Sequence, residues 1–154
     1  MTNGTSDNVY SMQKLTDEAR RLAADYRRAT GKTLPLSPEI AINDAIRLLH
    51  LTAADDDSCD AFYEVGGERW KVQVKGRVVF GQSKAASRIG QLKFEKPWHE
   101  TLLVLMDENY ETTEIFKAER EKMESVLAEK SPNKRGAMTV NQFKVIAARV
   151  WPID

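Results

Sequence analysis

The chain has 154 residues, 42% of them hydrophobic and 30% charged, a composition that suits one folded domain over 1–154 and excludes a disordered chain. A single cysteine, Cys59, and two histidines, His50 and His99, exclude an intrachain disulfide framework and a Cys/His zinc finger. The 23 basic and 23 acidic residues cancel, and a zero sum argues against a phosphate-rich partner until the distribution is read.

Residues 1–10 read as a frayed polar tail. No basic stretch followed by an apolar run opens the chain, and the longest apolar run, Leu102 to Met106, is strand length. A cytoplasmic protein with no membrane partner is the expectation. Thr16 is a good N-cap with Asp17 and Glu18 in the following turn. Leu15, Ala19, Leu22, Ala23 and Tyr26 then recur at helical spacing as a core-facing stripe, and Gly31 supplies the C-cap. Arg20, Arg21, Arg27 and Arg28 fall on the other face and read as solvated, with phosphate contact as the sharper alternative. Ser37-Pro38-Glu39 opens a second helix, with Pro where its missing N–H costs nothing. That helix continues through Ile42, Ala45, Ile46 and Leu49 to His50. The run Asp55-Asp56-Asp57-Ser58 is a polar loop; it lacks the alternating ligands, central Gly and terminal Glu of a calcium-binding loop.

Asp60–Val65 and Glu68–Arg77 are strand-like and joined by Gly66-Gly67, the two-residue link of a tight hairpin. That link sets Val65 opposite Glu68, Tyr63 opposite Trp70, Ala61 opposite Val72 and Asp60 opposite Gln73. Alternation then puts Asp60, Phe62, Glu64, Arg69, Lys71, Gln73 and Lys75 on a polar face, and Ala61, Tyr63, Val65, Trp70, Val72 and Val74 on an apolar one. Residues 76–90 read as a loop or irregular crossover. Thr101–Met106 reads as a strand covered on both faces. Asp107-Glu108-Asn109 is a turn, and Thr112–Lys117 an edge strand. A helix from Ala118 to Lys130 turns Met123, Val126 and Leu127 inward, Ser131–Gly136 breaks it, and Thr139 caps a last helix through Val150 to Trp151. The fold class expected is α/β (α+β), with a mixed sheet of about four to five strands flanked by helices.

The hairpin register brings the Asp60 carboxylate beside the Gln73 amide, with Lys75 two residues along on the same face. Oxygen ligands close together, with a lysine next to them, suit a hard divalent cation that keeps part of its water. The ordinary alternative is a wet hairpin face whose charged residues are merely neighbours. Cys59 is read as a small buried residue rather than a nucleophile, His50 as a helix-end cation and His99 as structural.

Cys59-Asp60-Ala61 through Lys71-Val72-Gln73-Val74-Lys75-Gly76-Arg77 resembles the active-site hairpin of the PD-(D/E)XK nuclease superfamily, in the branch where Gln replaces the acid before X-Lys. Leu34–Ala41 resembles its preceding helix, and Met138–Lys144 through Trp151 resembles a small bacterial family with this core. The resemblance spans about Leu34 to Trp151. It implies a restriction-endonuclease-like core and Mg²⁺- or Mn²⁺-dependent hydrolysis of nucleic acid, DNA in the first place. Within it, Asp60, Gln73, the Val74 carbonyl and Glu39 would hold the cation, and Lys75 would orient or deprotonate the attacking water. Arg77, Lys71, Lys84 and Arg88 would contact phosphates. A homodimer is expected by analogy with nucleases that cut both strands. Two departures stand out: Cys59 occupies the place of the usual Pro, and Gln73 removes a negative charge. The second keeps alive a nuclease-fold binding module without chemistry; a dimeric interaction protein is a third alternative.

Read along the chain, the neutral sum resolves into two blocks. Glu39–Asp60 holds six acidic residues against Arg47, a net of −5, and Glu68–Lys96 holds eight basic residues against two acidic, a net of +6. Of the proposed ligands, Glu39 and Asp60 lie in the first block, and Lys75 with the phosphate contacts lies in the second.

Overall fold

The computed structural model describes residues 11–31, 37–79, 88–128 and 137–153. Lys84, the tail before residue 11, Leu34 to Leu36 and the Ser131–Gly136 break lie outside the described residues. Within them the chain is mixed α/β, with four helices, an open mixed sheet of six strands and a separate two-stranded sheet.

Helix α1 spans Met12–Thr30; Ser11, not Thr16, is its N-cap, its hydroxyl accepting the Lys14 N–H at 3.2 Å. Thr16 lies inside the helix, donating to the Met12 carbonyl. Gly31 closes α1 as expected, at φ +78°, and its N–H donates to the Arg27 carbonyl at 2.7 Å. The buried face differs from the expected stripe: Thr16, Arg20, Ala23 and Ala24 are buried, while Leu15, Leu22 and Tyr26 are exposed. Small alanines let α1 lie close to helix α2 (Ser37–Leu49), and a buried ion pair decides the rotation. Arg20 Nη2 donates to Asp44 Oδ2 at 2.5 Å, and Arg20 Nε donates to the Tyr110 carbonyl. Asp44, fully buried on α2, also accepts the Thr112 hydroxyl at 2.6 Å. Arg20 is therefore neither solvated nor a phosphate contact.

After the short strand β1 (Thr52–Ala53), strands β2 (Ala61–Val65) and β3 (Glu68–Val78) form the expected hairpin. Its register matches residue for residue from Val65↔Glu68 to Ala61↔Val72. Gly66 and Gly67 both have positive φ, +57° and +83°, the combination that a two-residue turn of this hand requires.

Strand β3 runs on to Val78 and pairs in parallel with β5 (Glu100–Met106), so the first residues of the expected crossover belong to the sheet. All seven residues of β5 are buried, in line with a strand covered on both faces. Strand β6 (Thr112–Glu119) is not an edge. It pairs with β8 (Ala148–Trp151), giving the order β1-β2-β3-β5-β6-β8. The last helix, here α4 (Val140–Ile146), consequently stops early. Its start is as expected, a reciprocal capping box between Thr139 and Gln142.

One sheet face carries α2 and Ala23 and Ala24 of α1, packed on Val72, Val74, Leu102, Val104 and Ile115. The other is covered by β4 (Arg88–Gln91), β7 (Ala137–Thr139), α3 (Arg120–Ala128) and α4, around Leu103, Leu105, Met123 and Phe143. Both faces of the hairpin's inner end are therefore covered: Phe62 and Gln73, assigned to a wet face from alternation alone, are buried. No helix among the described residues is long and apolar enough to cross a membrane.

Candidate active site

A cavity of about 310 Å³ opens between the first turn of α2, the loop before β2, the middle of β3 and the turn that leads into β5. Asp60, Gln73, Val74 and Lys75 line it together. The hairpin puts them there. The Asp60 N–H donates to the Val72 carbonyl at 2.9 Å, so the chain enters β2 already paired to β3. The Asp60 carboxylate then accepts the Val74 N–H through Oδ2 at 2.8 Å. That bond orients the side chain and leaves Oδ1 without a hydrogen-bond partner among the described residues.

Gln73 is buried and engaged at both ends of its amide. Nε2 donates to the Thr101 hydroxyl on β5 at 2.9 Å, and Oε1 accepts the Lys93 main-chain N–H at 3.1 Å. Thr101 is its register partner across the parallel pair. Lys75 is half-buried two residues on. Burial, and after it the charge of Lys93, lower the pKa of its ammonium below the ordinary lysine value, while the Asp60 carboxylate acts the other way.

The remaining expected residues stand further out. Glu39 is exposed on the first turn of α2, where Pro38 and Ile42, not Glu39, reach the cavity wall. Lys71 and Arg77 are half-buried on the Lys75 face of β3, and Arg88 is exposed at the start of β4 opposite Thr139; none of the three lines the cavity. Lys93, Lys96 and Trp98 do line it, although residue type alone did not single them out. A count of basic residues includes both lysines, but only the fold of the 93–98 turn returns them to the hairpin.

Arg120 holds that turn. Its Nη1 donates to the Lys96 and Trp98 carbonyls at 2.6 and 3.0 Å, its Nη2 to the Phe94 carbonyl, and its guanidinium lies over the Trp98 ring. The Trp98 indole N–H donates to the Lys93 carbonyl at 2.7 Å, and Lys96 Nζ to the Asp57 carbonyl at 2.8 Å. His99 is structural, as expected: Nδ1 accepts the Lys71 N–H at 2.8 Å and the ring stacks on Trp70.

No protein-family model and no curated protein matches the chain. The chemistry of the cavity is therefore what bears on function. Among the described residues no group of three Asp, Glu, His or Cys side chains able to hold a metal occurs, and Asp60 and Asp57 are the only ones of them that bring a carboxylate to the cavity wall, which also carries Lys75, Lys93 and Lys96. The wall offers one oriented carboxylate with a free oxygen and an amide oxygen that already accepts the Lys93 N–H, so any hard cation held there would keep several waters. It does not fit a cation caged by protein ligands alone.

A second polar cluster lies at the far end of the hairpin. Glu100, buried at the start of β5, accepts the Trp70 indole N–H at 2.8 Å and the Tyr63 hydroxyl at 3.1 and 3.2 Å. Burial raises the Glu100 pKa above its ordinary 4.5, against the lowering effect of Trp70, Lys117 and Tyr63. Burial also raises the Tyr63 pKa, with the Glu100 charge adding to it. A carboxyl whose folded pKa exceeds its unfolded one gives stability that is complete below the unfolded value and lost as pH rises through the folded value. Thermal melts of Glu100→Gln are thus expected to fall less than those of the wild type as pH is raised from below 4.5 toward neutrality. Parallel curves for the two proteins would show that Glu100 does not set this dependence.

Proposed function

We propose that this chain is a metal-dependent nuclease of the PD-(D/E)XK type that hydrolyses phosphodiester bonds in nucleic acid, DNA first. The observation that carries the reading is the meeting of Asp60 and Lys75 in one cavity, on a hairpin whose Gln73-Val74-Lys75 strand runs through the middle of the sheet. The order of helix, hairpin and parallel strand supports a restriction-endonuclease-like core. Asp60 Oδ1, the Gln73 amide oxygen and the Val74 carbonyl would hold Mg²⁺ or Mn²⁺, with Glu39 acting through water. When bound, such a cation supplies charge stabilisation at the phosphate and acidifies water.

The protein's own part is positional and electrostatic. Asp60 is oriented by the Val74 N–H and needs no rearrangement to present Oδ1. Lys75 offers a cation to the phosphate as negative charge builds on it. Burial eases the loss of its proton, and in the neutral amine form Lys75 would take a proton from the attacking water and become the ammonium that faces the phosphate. Lys71, Arg77 and Arg88, with Lys84 outside the described residues, would follow the backbone on either side.

Incubation of the purified chain with supercoiled plasmid and with single-stranded DNA tests the reading. Nicking is expected with Mg²⁺ or Mn²⁺ and none in EDTA. The full engagement of the Gln73 amide favours one second reading, a nuclease-fold module that binds nucleic acid without cutting it. Retained DNA binding with no cleavage under either metal selects that module and ends the enzyme claim.

A further inference from the structure

The Gln73 amide oxygen does something that a metal-ligand role alone does not explain: it accepts the main-chain N–H of Lys93, a residue twenty positions further along. The Lys93 carbonyl is held as well, by the Trp98 indole and by the Lys96 N–H at 3.1 Å. Arg120 fixes the rest of the turn through three carbonyls. The Lys93 backbone is thus pinned on both sides, whereas its side chain is exposed and reaches the wall of the cavity that holds Asp60 and Lys75.

Two like charges brought to one small cavity repel, and with Lys75, Lys93 and Lys96 against Asp57 and Asp60 the wall keeps an excess of positive charge that an anion would offset. A backbone phosphate has the charge and the several acceptor oxygens to take two ammonium groups at once.

We propose that Lys93 and Lys75 together form a seat for one phosphate of the nucleic-acid backbone, filled without the metal, and that Gln73 is the latch that delivers Lys93 to it. The proposal rests on the nucleic-acid reading of the site but not on cleavage. It assigns Gln73 a positioning role and adds a phosphate contact that the Gln-X-Lys spacing does not contain.

The test is binding of a short fluorescein-labelled DNA duplex in EDTA, followed by anisotropy over a series of salt concentrations. Each phosphate neutralised contributes about 0.9 to the slope of log K against log salt. Lys93→Ala is expected to reduce that slope, the double variant Lys93→Ala with Lys75→Ala to reduce it by about 0.9, Lys93→Arg to keep it, and Lys122→Ala, on the exposed side of α3, to leave it unchanged. The Lys93 side chain is exposed, so its removal leaves the core intact. An unaltered slope in Lys93→Ala, an equal loss in Lys122→Ala, or no duplex binding by the wild type overturns the seat. Loss of slope in a protein that never cuts keeps the seat and removes the nuclease; cleavage with an unaltered slope does the reverse.

Discussion

Lys75→Ala is expected to lower metal-dependent cleavage by at least about a hundredfold, the lower end of what a positioned acid–base or charge-stabilising group contributes. Asp60→Asn is expected to do the same for a different reason, and the two separate in a binding measurement. The Asn amide oxygen can still accept the Val74 N–H that Asp60 Oδ2 accepts at 2.8 Å, so the hairpin end keeps its bond while the cavity loses its oriented negative charge. Mn²⁺ titration by calorimetry should then show no binding to Asp60→Asn. Lys75→Ala removes a cation from the same wall and should bind Mn²⁺ at least as well as the wild type. A Lys75→Ala protein that cuts at the wild-type rate would remove Lys75 from the chemistry. An Asp60→Asn protein with wild-type Mn²⁺ affinity would place the cation elsewhere.

Asp44→Ala should cost about 3–5 kcal/mol of stability, the range for breaking a buried ion pair from one side. Asp44 has no solvent exposure and holds three groups: Arg20 Nη2 at 2.5 Å, the Thr112 hydroxyl at 2.6 Å and Arg47 Nη2 at 3.3 Å. Its removal leaves the Arg20 guanidinium buried with only Asp17, half-exposed, and the Tyr110 carbonyl as partners. Because these bonds join α1, α2 and β6, the loss should appear as a shift of the whole urea transition. Arg47→Ala provides the contrast. Its side chain is 45% exposed, and surface partners of this kind contribute about 0–1 kcal/mol. Similar midpoints for the two variants would show that burial of the pair is not what stabilises this junction.

The parts of the fold legible in the sequence are those with a local cause. Gly66 and Gly67 set the turn and, through it, five cross-strand pairs. Thr139 with Gln142, and Gly31, mark helix ends by bonds that span three or four residues. The unbroken apolar run of β5 announced a strand buried on both sides. The misread parts have distant causes. The exposed stripe Leu15, Leu22 and Tyr26 has the spacing of a core face, but α1 turns toward α2 on two alanines and Arg20, whose partner lies 24 positions away. β6 looked like an edge because β8, the strand that covers it, read as the end of a helix.

The candidate site divides along the same line. That Asp60 and Lys75 come to the same end of the hairpin follows from the sequence by itself, because a two-residue turn and a period of two fix the register; the expected pair Asp60 with Gln73 is not part of the ladder, which ends at Ala61↔Val72, and Asp60 bonds to Val72 and Val74 instead. That Gln73 is buried, bonded at once to Thr101 and Lys93, was decided only by the tertiary structure. The parallel pairing of β3 with β5 and the Arg120-held turn bring together groups that no local pattern relates. Local geometry is set within a few residues by sterics and hydrogen bonds; which distant lysine completes a pocket depends on how whole elements pack, and that information is spread over the chain.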